Sequence, residues 1–234
     1  MKAVVFDFFG TLTDPSAEDG RRSSFIATAA ALGVPADAFC TMMGATFRER
    51  ATGAFGDTRA TLETVALRCG VTPAPDALDA ATAVQLAGAA TVRTPRPGVL
   101  AVLATLRERG LRLGLISDCS SELYESWPST PFAPLIDAAV FSWREGYRKP
   151  DQRLYATVAD RLGVLPQQCW YVGDGGSREH WGAATAGMRP ILVTNANYPS
   201  AAAYRDDPDT HVPELTVDDL STLLPLICQD HSCP

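Results

Sequence analysis

The sequence predicts an α/β fold: a parallel sheet flanked by helices, with a small all-helical unit inserted near the N-terminus. Three features carry this prediction. Residues 3–14, AVVFDFFGTLTD, open with a β-branched and aromatic run that reads as a strand buried on both faces. Residues 97–194 alternate helical and strand patterns, as repeated strand–helix–strand units do. Between these stretches, residues 16–90 carry helical signals and no strand pattern.

Taken in order, the first strand is interrupted at its end by Asp7. A carboxylate buried there without a partner would cost several kcal/mol, and the carboxyl end of a parallel strand is where open α/β sheets place ligands. Gly10 lets the chain turn, and Thr11 supplies a hydroxyl beside Asp7. Four helices are expected in residues 15–96, separated at Gly33-Val34-Pro35, at Gly53 to Gly56 and at Gly70-Val71-Thr72-Pro73. The Pro-rich stretch TVRTPRPG, residues 91–98, closes this block. The domains are therefore expected to be 1–14 with 97–234, and 15–96. A helix over 99–109 stops at Gly110, and a strand over 111–116 ends in Ser117-Asp118. A buried segment over 132–141 ends at Ser142, and an amphipathic helix over 151–162 stops at Gly163. A strand over 169–172 ends in GDGG, a helix over 177–186 is capped by Ser177, and a further strand covers 191–193. Residues 195–213 are turn-rich, and a last helix over 217–227 is bent or ended by Pro225.

With 46% hydrophobic and 20% charged residues, a chain of 234 residues can bury a substantial core. No run of about 18 apolar residues and no secretory signal is present, so a cytoplasmic location is expected. The six cysteines (40, 69, 119, 169, 228 and 233) read as reduced thiols and not as a zinc site. A net charge of −7 argues against nucleic acid and anionic membranes as partners, while leaving room for a local basic pocket. Of 20 basic residues only Lys2 and Lys149 are lysine, so Lys149 in GYRKPD stands out as a compact ammonium suited to one anionic oxygen.

In a parallel sheet all carboxyl ends lie on one edge, which brings Asp7, Ser117, the segment around Lys149 and Asp174 together. Asp7, Asp174 and Glu179, with no cluster of His or Cys, suit a hard cation, Mg²⁺ first. The glycines around Asp174 would let the chain approach a small ligand closely.

DFFGTLTD, LISD, GYRKPDQRLY and VGDGGSREHWGAATAGM, in this order and spacing, resemble the four motifs of the haloacid dehalogenase-like hydrolase superfamily. The resemblance covers residues 1–14 and 97–194 and implies a Rossmann-like core with a helical cap inserted after the first motif. It implies Asp7 as the nucleophile, Thr11 and Ser117 holding the transferring group, and Lys149 neutralising charge between nucleophile and phosphoryl oxygens. Asp174, the main-chain carbonyl of Phe9 and, directly or through water, Glu179 would bind Mg²⁺. Gly10, Asp118 and the cap residue Arg48 complete the expected substrate contacts, with Arg50 and Arg59 as further cap arginines. The expected substrate is small and anionic, a phosphate ester, and the protein a monomer or homodimer.

One position departs from the phosphatase pattern. Phosphatases of the superfamily carry a second Asp two residues after the nucleophile, which protonates the leaving group; here Phe9 stands there, and help worth about 10²–10⁴-fold is lost. Asp14, Asp118, Glu145 and His180 are the candidate substitutes. Dehalogenases of the superfamily have an aromatic residue at this place, yet they dispense with the metal and with the Asp that is present here as Asp174. Phosphonate hydrolases also lack the second Asp but need a cap lysine, and residues 15–96 contain none. A Mg²⁺-dependent phosphatase is therefore the first reading, a 2-haloacid dehalogenase the second, and a catalytically weakened binder of phosphorylated ligands the third.

Overall fold

The computed structural model describes residues 1–198 and 207–229, with side chains through residue 227. Alternation along the strands sets the architecture. In β1 (Ala3–Phe6), Val4 and Phe6 point to one face and Ala3 and Val5 to the other, and all four are fully buried. Such a strand needs cover on both sides, and it lies in the middle of a six-stranded sheet of order β3-β2-β1-β4-β5-β6, parallel throughout. The other strands are β2 (Arg112–Ser117), β3 (Ala138–Phe141), β4 (Cys169–Gly173), β5 (Arg189–Val193) and β6 (Leu215–Val217).

Helices α6 (Val99–Glu108) and α11 (Leu223–Gln229) cover the Val4–Phe6 face, where Leu103, Leu106, Leu223 and Ile227 pack on Trp170 and Val172. Helices α9 (Gln152–Leu162) and α10 (Glu179–Thr185) cover the opposite face, through Leu154, Val158, Leu162 and Ala183. Short helices α7 (Ser121–Ser126) and α8 (Ser142–Glu145) follow β2 and β3 at the edge where the strands end.

Between β1 and β2 the chain forms a helical block with its own core, in which Phe39, Met43, Leu62, Val65 and Leu78 are buried together. It contains five α-helices where four are expected: α1 (Arg21–Leu32), α2 (Ala36–Ala45), α3 (Phe47–Arg50), α4 (Thr58–Arg68) and α5 (Pro75–Thr91). The extra one is the single turn FRER, too short for a periodic signal. The two connectors to the sheet are tied side by side, with a Thr13–Pro95 bridge flanked by Asp14 N donating to Thr94 O (2.8 Å) and Arg96 N to Leu12 O (3.0 Å).

Two local expectations are corrected. Residue 217 does not start a helix: Val217 closes β6 against Val193, and α11 begins at Leu223, with Pro225 in its first turn where a missing N–H costs nothing. Ser177 does not cap α10, because Ser177 and Arg178 both take left-handed backbone conformations (φ 54° and 50°) and no side chain caps the helix from there. Asp209 does so from outside the motif, its Oδ2 accepting from His180 N (2.6 Å) and Trp181 N (3.0 Å). Cys40, Cys69, Cys119 and Cys169 are free thiols; Cys233 and the Cys228 side chain lie outside the described residues, as does part of the turn-rich 195–213. Among the described residues no single helix is long and apolar enough to cross a membrane.

Candidate active site

Asp7 follows β1 directly, its N–H held by Val172 O of the neighbouring strand (2.9 Å), so the carboxylate is fixed at the sheet edge. It is 6% exposed. Lys149, in the loop after α8, donates Nζ to Asp7 Oδ1 (2.5 Å) and to Glu179 Oε2 (2.6 Å). Glu179 is fully committed: Tyr171 OH donates to Oε2 (2.9 Å) and Gly175 N to Oε1 (2.8 Å). Its carboxylate folds back so closely over the end of β4 that a Cβ on Gly173 would collide with it, which explains that glycine better than approach of a ligand. Gly10, at φ 73°, turns the chain beside Asp174; a Cβ there would lie 2.8 Å from Asp174 Oδ2.

Ligand oxygens of Asp7, Asp174 and Glu179 lie within 4.8 Å of one another. Three carboxylates crowd one buried place beside the ammonium of Lys149, a set of oxygen donors that suits one divalent cation. The acids register it. Burial pushes the Asp7 carboxyl up to about 7, with Lys149 pulling the other way and Glu179 adding repulsion. Glu179 is raised as well, by burial and then by Asp174, against the pull of Lys149. Burial alone would weaken the Lys149 ammonium, but Asp7, Glu179 and Asp118 together hold it well above its ordinary value. With oxygen donors only, these residues fit Mg²⁺.

Thr11 Oγ1 donates to Asp7 Oδ2 (3.1 Å) and is buried behind it, so the hydroxyl orients Asp7. Ser117 ends β2 with a fully buried hydroxyl that has no hydrogen-bond partner among the described residues. Asp118 accepts from Lys149 N (3.0 Å) and Arg148 Nε (3.2 Å), and so shapes the lysine loop. Gly10 N donates to Thr13 Oγ1 (3.0 Å), while the Gly10 carbonyl accepts from Arg96 Nη2 and Asn195 Nδ2. A cavity of about 290 Å³ opens above Asp7, between the sheet edge and the helical block. Phe9, Gly10, Asp118, Lys149, Asp174 and Glu179 line it together with Asp7.

Arg48 is exposed and outside the cavity lining; Arg59 is exposed and paired with Asp79. Arg50 does line the cavity, 5% exposed, donating to Ser120 Oγ (3.1 Å) and Met43 O (2.7 Å). Its place inside follows from packing of α3 on Ser120, which no local pattern encodes. Of the candidate substitutes for a second Asp, only Asp118 reaches the cavity. Asp14 accepts from Ser16 N, Glu145 pairs with Arg161, and His180 Nε2 lies against Gly173 O. Sequence reasoning missed Tyr171, Glu18, Arg21, Gln85, Arg93 and Glu122. Only Tyr171 leaves a trace, as a hydroxyl in an otherwise apolar strand that must find a buried partner.

A parallel α/β core with a buried carboxylate at the end of its central strand, a lysine and a carboxylate cluster at one sheet edge, under a helical block, defines a hydrolase class. The model of the family "haloacid dehalogenase-like hydrolase" matches residues 1–187, and the chain belongs to that family. It is 27% identical over 230 residues to a glyceraldehyde 3-phosphate phosphatase of Methanopyrus kandleri, covering 97% of both chains. A 2-haloacid dehalogenase of Pseudomonas syringae pv. Tomato shares the fold at TM-score 0.69 and 23% identity, covering 98% of this chain and 99% of the other. A phosphatase of Thermococcus onnurineus does so at TM-score 0.67 and 18% identity, covering 97% and 98%.

Proposed function

We propose that this hydrolase is a Mg²⁺-dependent phosphatase acting on a small phosphate ester, with residues 15–96 as a cap over the site. The observation that carries this reading is the cluster of Asp7, Asp174 and Glu179, whose oxygens lie within 4.8 Å of one another and suit a hard divalent cation. A dehalogenase attacking a neutral carbon–halogen bond gains nothing from such a cluster. Similarity along the whole chain to a phosphatase supports the same reading.

Asp7 attacks phosphorus through the carboxylate, forming an aspartyl-phosphate while the ester oxygen leaves; water then cleaves the new bond. Thr11 keeps Asp7 in the attacking orientation, and Lys149 opposes the charge that accumulates on the phosphoryl oxygens. Glu179 and Tyr171 place Lys149. Asp7, Asp174 and the Phe9 carbonyl would hold Mg²⁺, with Glu179 behind them, and the ion would supply further neutralisation of phosphoryl charge.

A panel of phosphate esters and 2-haloacids, assayed with and without Mg²⁺, tests the reading. Phosphate release that requires Mg²⁺, together with calorimetric Mg²⁺ binding lost in Asp174→Asn, is the expected result. Metal-independent halide release from a 2-haloacid without phosphate release would overturn it. Phe9 keeps that second reading in view, since an aromatic ring cannot donate a proton.

A further inference from the structure

The carboxylates lining the cavity raise the question of how a leaving group departs opposite Phe9. Asp7, Asp174 and Glu179 form the charged cluster, and each of the others is already an acceptor. Asp118 accepts from Lys149 N and Arg148, Glu122 from Gln85 Nε2 (2.8 Å) and Ser120 Oγ (2.6 Å), and Glu18 from Arg21.

Arg21 answers it. The guanidinium of this first residue of α1 lies over the Phe9 ring, 5.4 Å from its centroid, and both residues line the cavity that holds Asp7. Its position is fixed from two sides. Glu18, 7% exposed, grips it with both oxygens (Nε to Oε2, 2.6 Å; Nη2 to Oε1, 2.7 Å), and Phe9 is itself braced edge-on by Phe8 at 5.1 Å. A guanidinium, paired through Nε and Nη2 with Glu18, thus stands over the very side chain that replaces the proton donor.

We propose that Arg21 stabilises the departing oxygen by charge, making this site selective for phosphate esters and acyl phosphates whose leaving groups depart as anions. The proposal rests on the phosphatase reading above. An Asp7 oxygen forms the new bond to phosphorus, the phosphorus–ester oxygen bond breaks, and its electron pair stays on the leaving oxygen. That anion departs beside the guanidinium, which keeps its own protons, and takes a proton from water afterwards. Alkyl alkoxides are too basic to leave this way, whereas carboxylates, enolates and phenolates are not.

The test is the leaving-group dependence of kcat/KM, measured with acetyl phosphate, a series of aryl phosphates from 4-nitrophenyl to phenyl, and one alkyl phosphate. The native enzyme should prefer acetyl and 4-nitrophenyl phosphate to the alkyl ester by about 10²-fold or more. Arg21→Gln should steepen the dependence, losing about tenfold on 4-nitrophenyl phosphate and about 10²–10³-fold on phenyl phosphate, where more charge must be stabilised. Arg21→Lys, which keeps a charge on a flexible stem, should recover part of the loss and carries the comparison if Arg21→Gln melts early. Equal losses across the series, or none, in a working phosphatase overturn this proposal alone. Absence of phosphate release from every ester by the native enzyme, with halide released from 2-haloacids, removes the phosphatase reading and this proposal with it.

Discussion

At position 9 a single ring decides how Asp7, the proposed nucleophile, can be used. Phe9 cannot transfer a proton, and the guanidinium over it changes what a replacement would do. A carboxylate introduced as Phe9→Asp would come close to Arg21, which favours its ionised form, so it would be a poorer acid than one without that neighbour. Alkyl phosphate turnover is therefore expected to rise less than about tenfold in Phe9→Asp. In Phe9→Asp/Arg21→Gln, the carboxyl is released from that partner and the alkyl ester should gain more than the aryl ester. Steady-state rates on one alkyl and one aryl ester check this, and a gain of about 10²-fold in the single variant would contradict it. Phe9 was visible in the sequence because the motif around it is continuous, whereas Arg21 was not, because eleven residues lie between the two and only the turn after β1 stacks them.

Among the elements, the junction of β4 and α10 carries most of the site's precision. Gly173, Asp174, Ser177 and Glu179 span the step from the last residue of β4 to the first of α10, and two successive left-handed residues bring Glu179 back under the strand end. Such conformations cost of order 1–3 kcal/mol each and persist only where surrounding bonds enforce them. The Glu179 carboxylate lies where a side chain on Gly173 would go. Gly173→Ala should therefore push Glu179 off Lys149 and lower kcat by about 10²-fold, with a smaller effect on KM. Kinetics beside a melting curve check it; normal kcat in a folded Gly173→Ala protein would show that Glu179 does not place Lys149. The pairing of GDGG with a strand end was legible from pattern alone. Glycine's purpose there was not, because the neighbour it accommodates arrives by a reversal of the chain.

For the molecule as a whole, the sheet and the helical block meet over buried polar groups. Glu122, in α7, takes Gln85 of α5 on one oxygen and Ser120 on the other, and Thr28 of α1 donates to Gln85 (2.9 Å). Burial favours the protonated acid, but Arg50, Ser120 and Gln85 together outweigh it and hold Glu122 below its ordinary value of 4.5. A depressed acid contributes stability above its unfolded pKa and loses it as pH falls through the folded one. Glu122→Gln should then cost about 1–3 kcal/mol near pH 7, several degrees of melting temperature. The difference from the native protein should shrink below pH 4.5. Melting curves from pH 7 down to about 3.5 measure it, and a difference independent of pH would assign Glu122 no electrostatic part in holding the block.

Sequence alone determined the parallel sheet, the helical insertion and the carboxylate–lysine set at one edge, since each is written in continuous runs: an apolar strand, its polar end, a glycine stop. Asp7, Lys149 and Asp174 are legible for that reason, as parallel topology gathers strand ends without any knowledge of packing. Only the tertiary structure decided that Arg50 and not Arg48 enters the cavity, and that Glu179 is bound to Lys149 and Tyr171. It also decided that Asp209 caps α10 and that Arg21 covers Phe9. These are contacts between surfaces of different elements, fixed by how helices dock on the sheet and on each other, and docking depends on the shape of whole faces that no local pattern records.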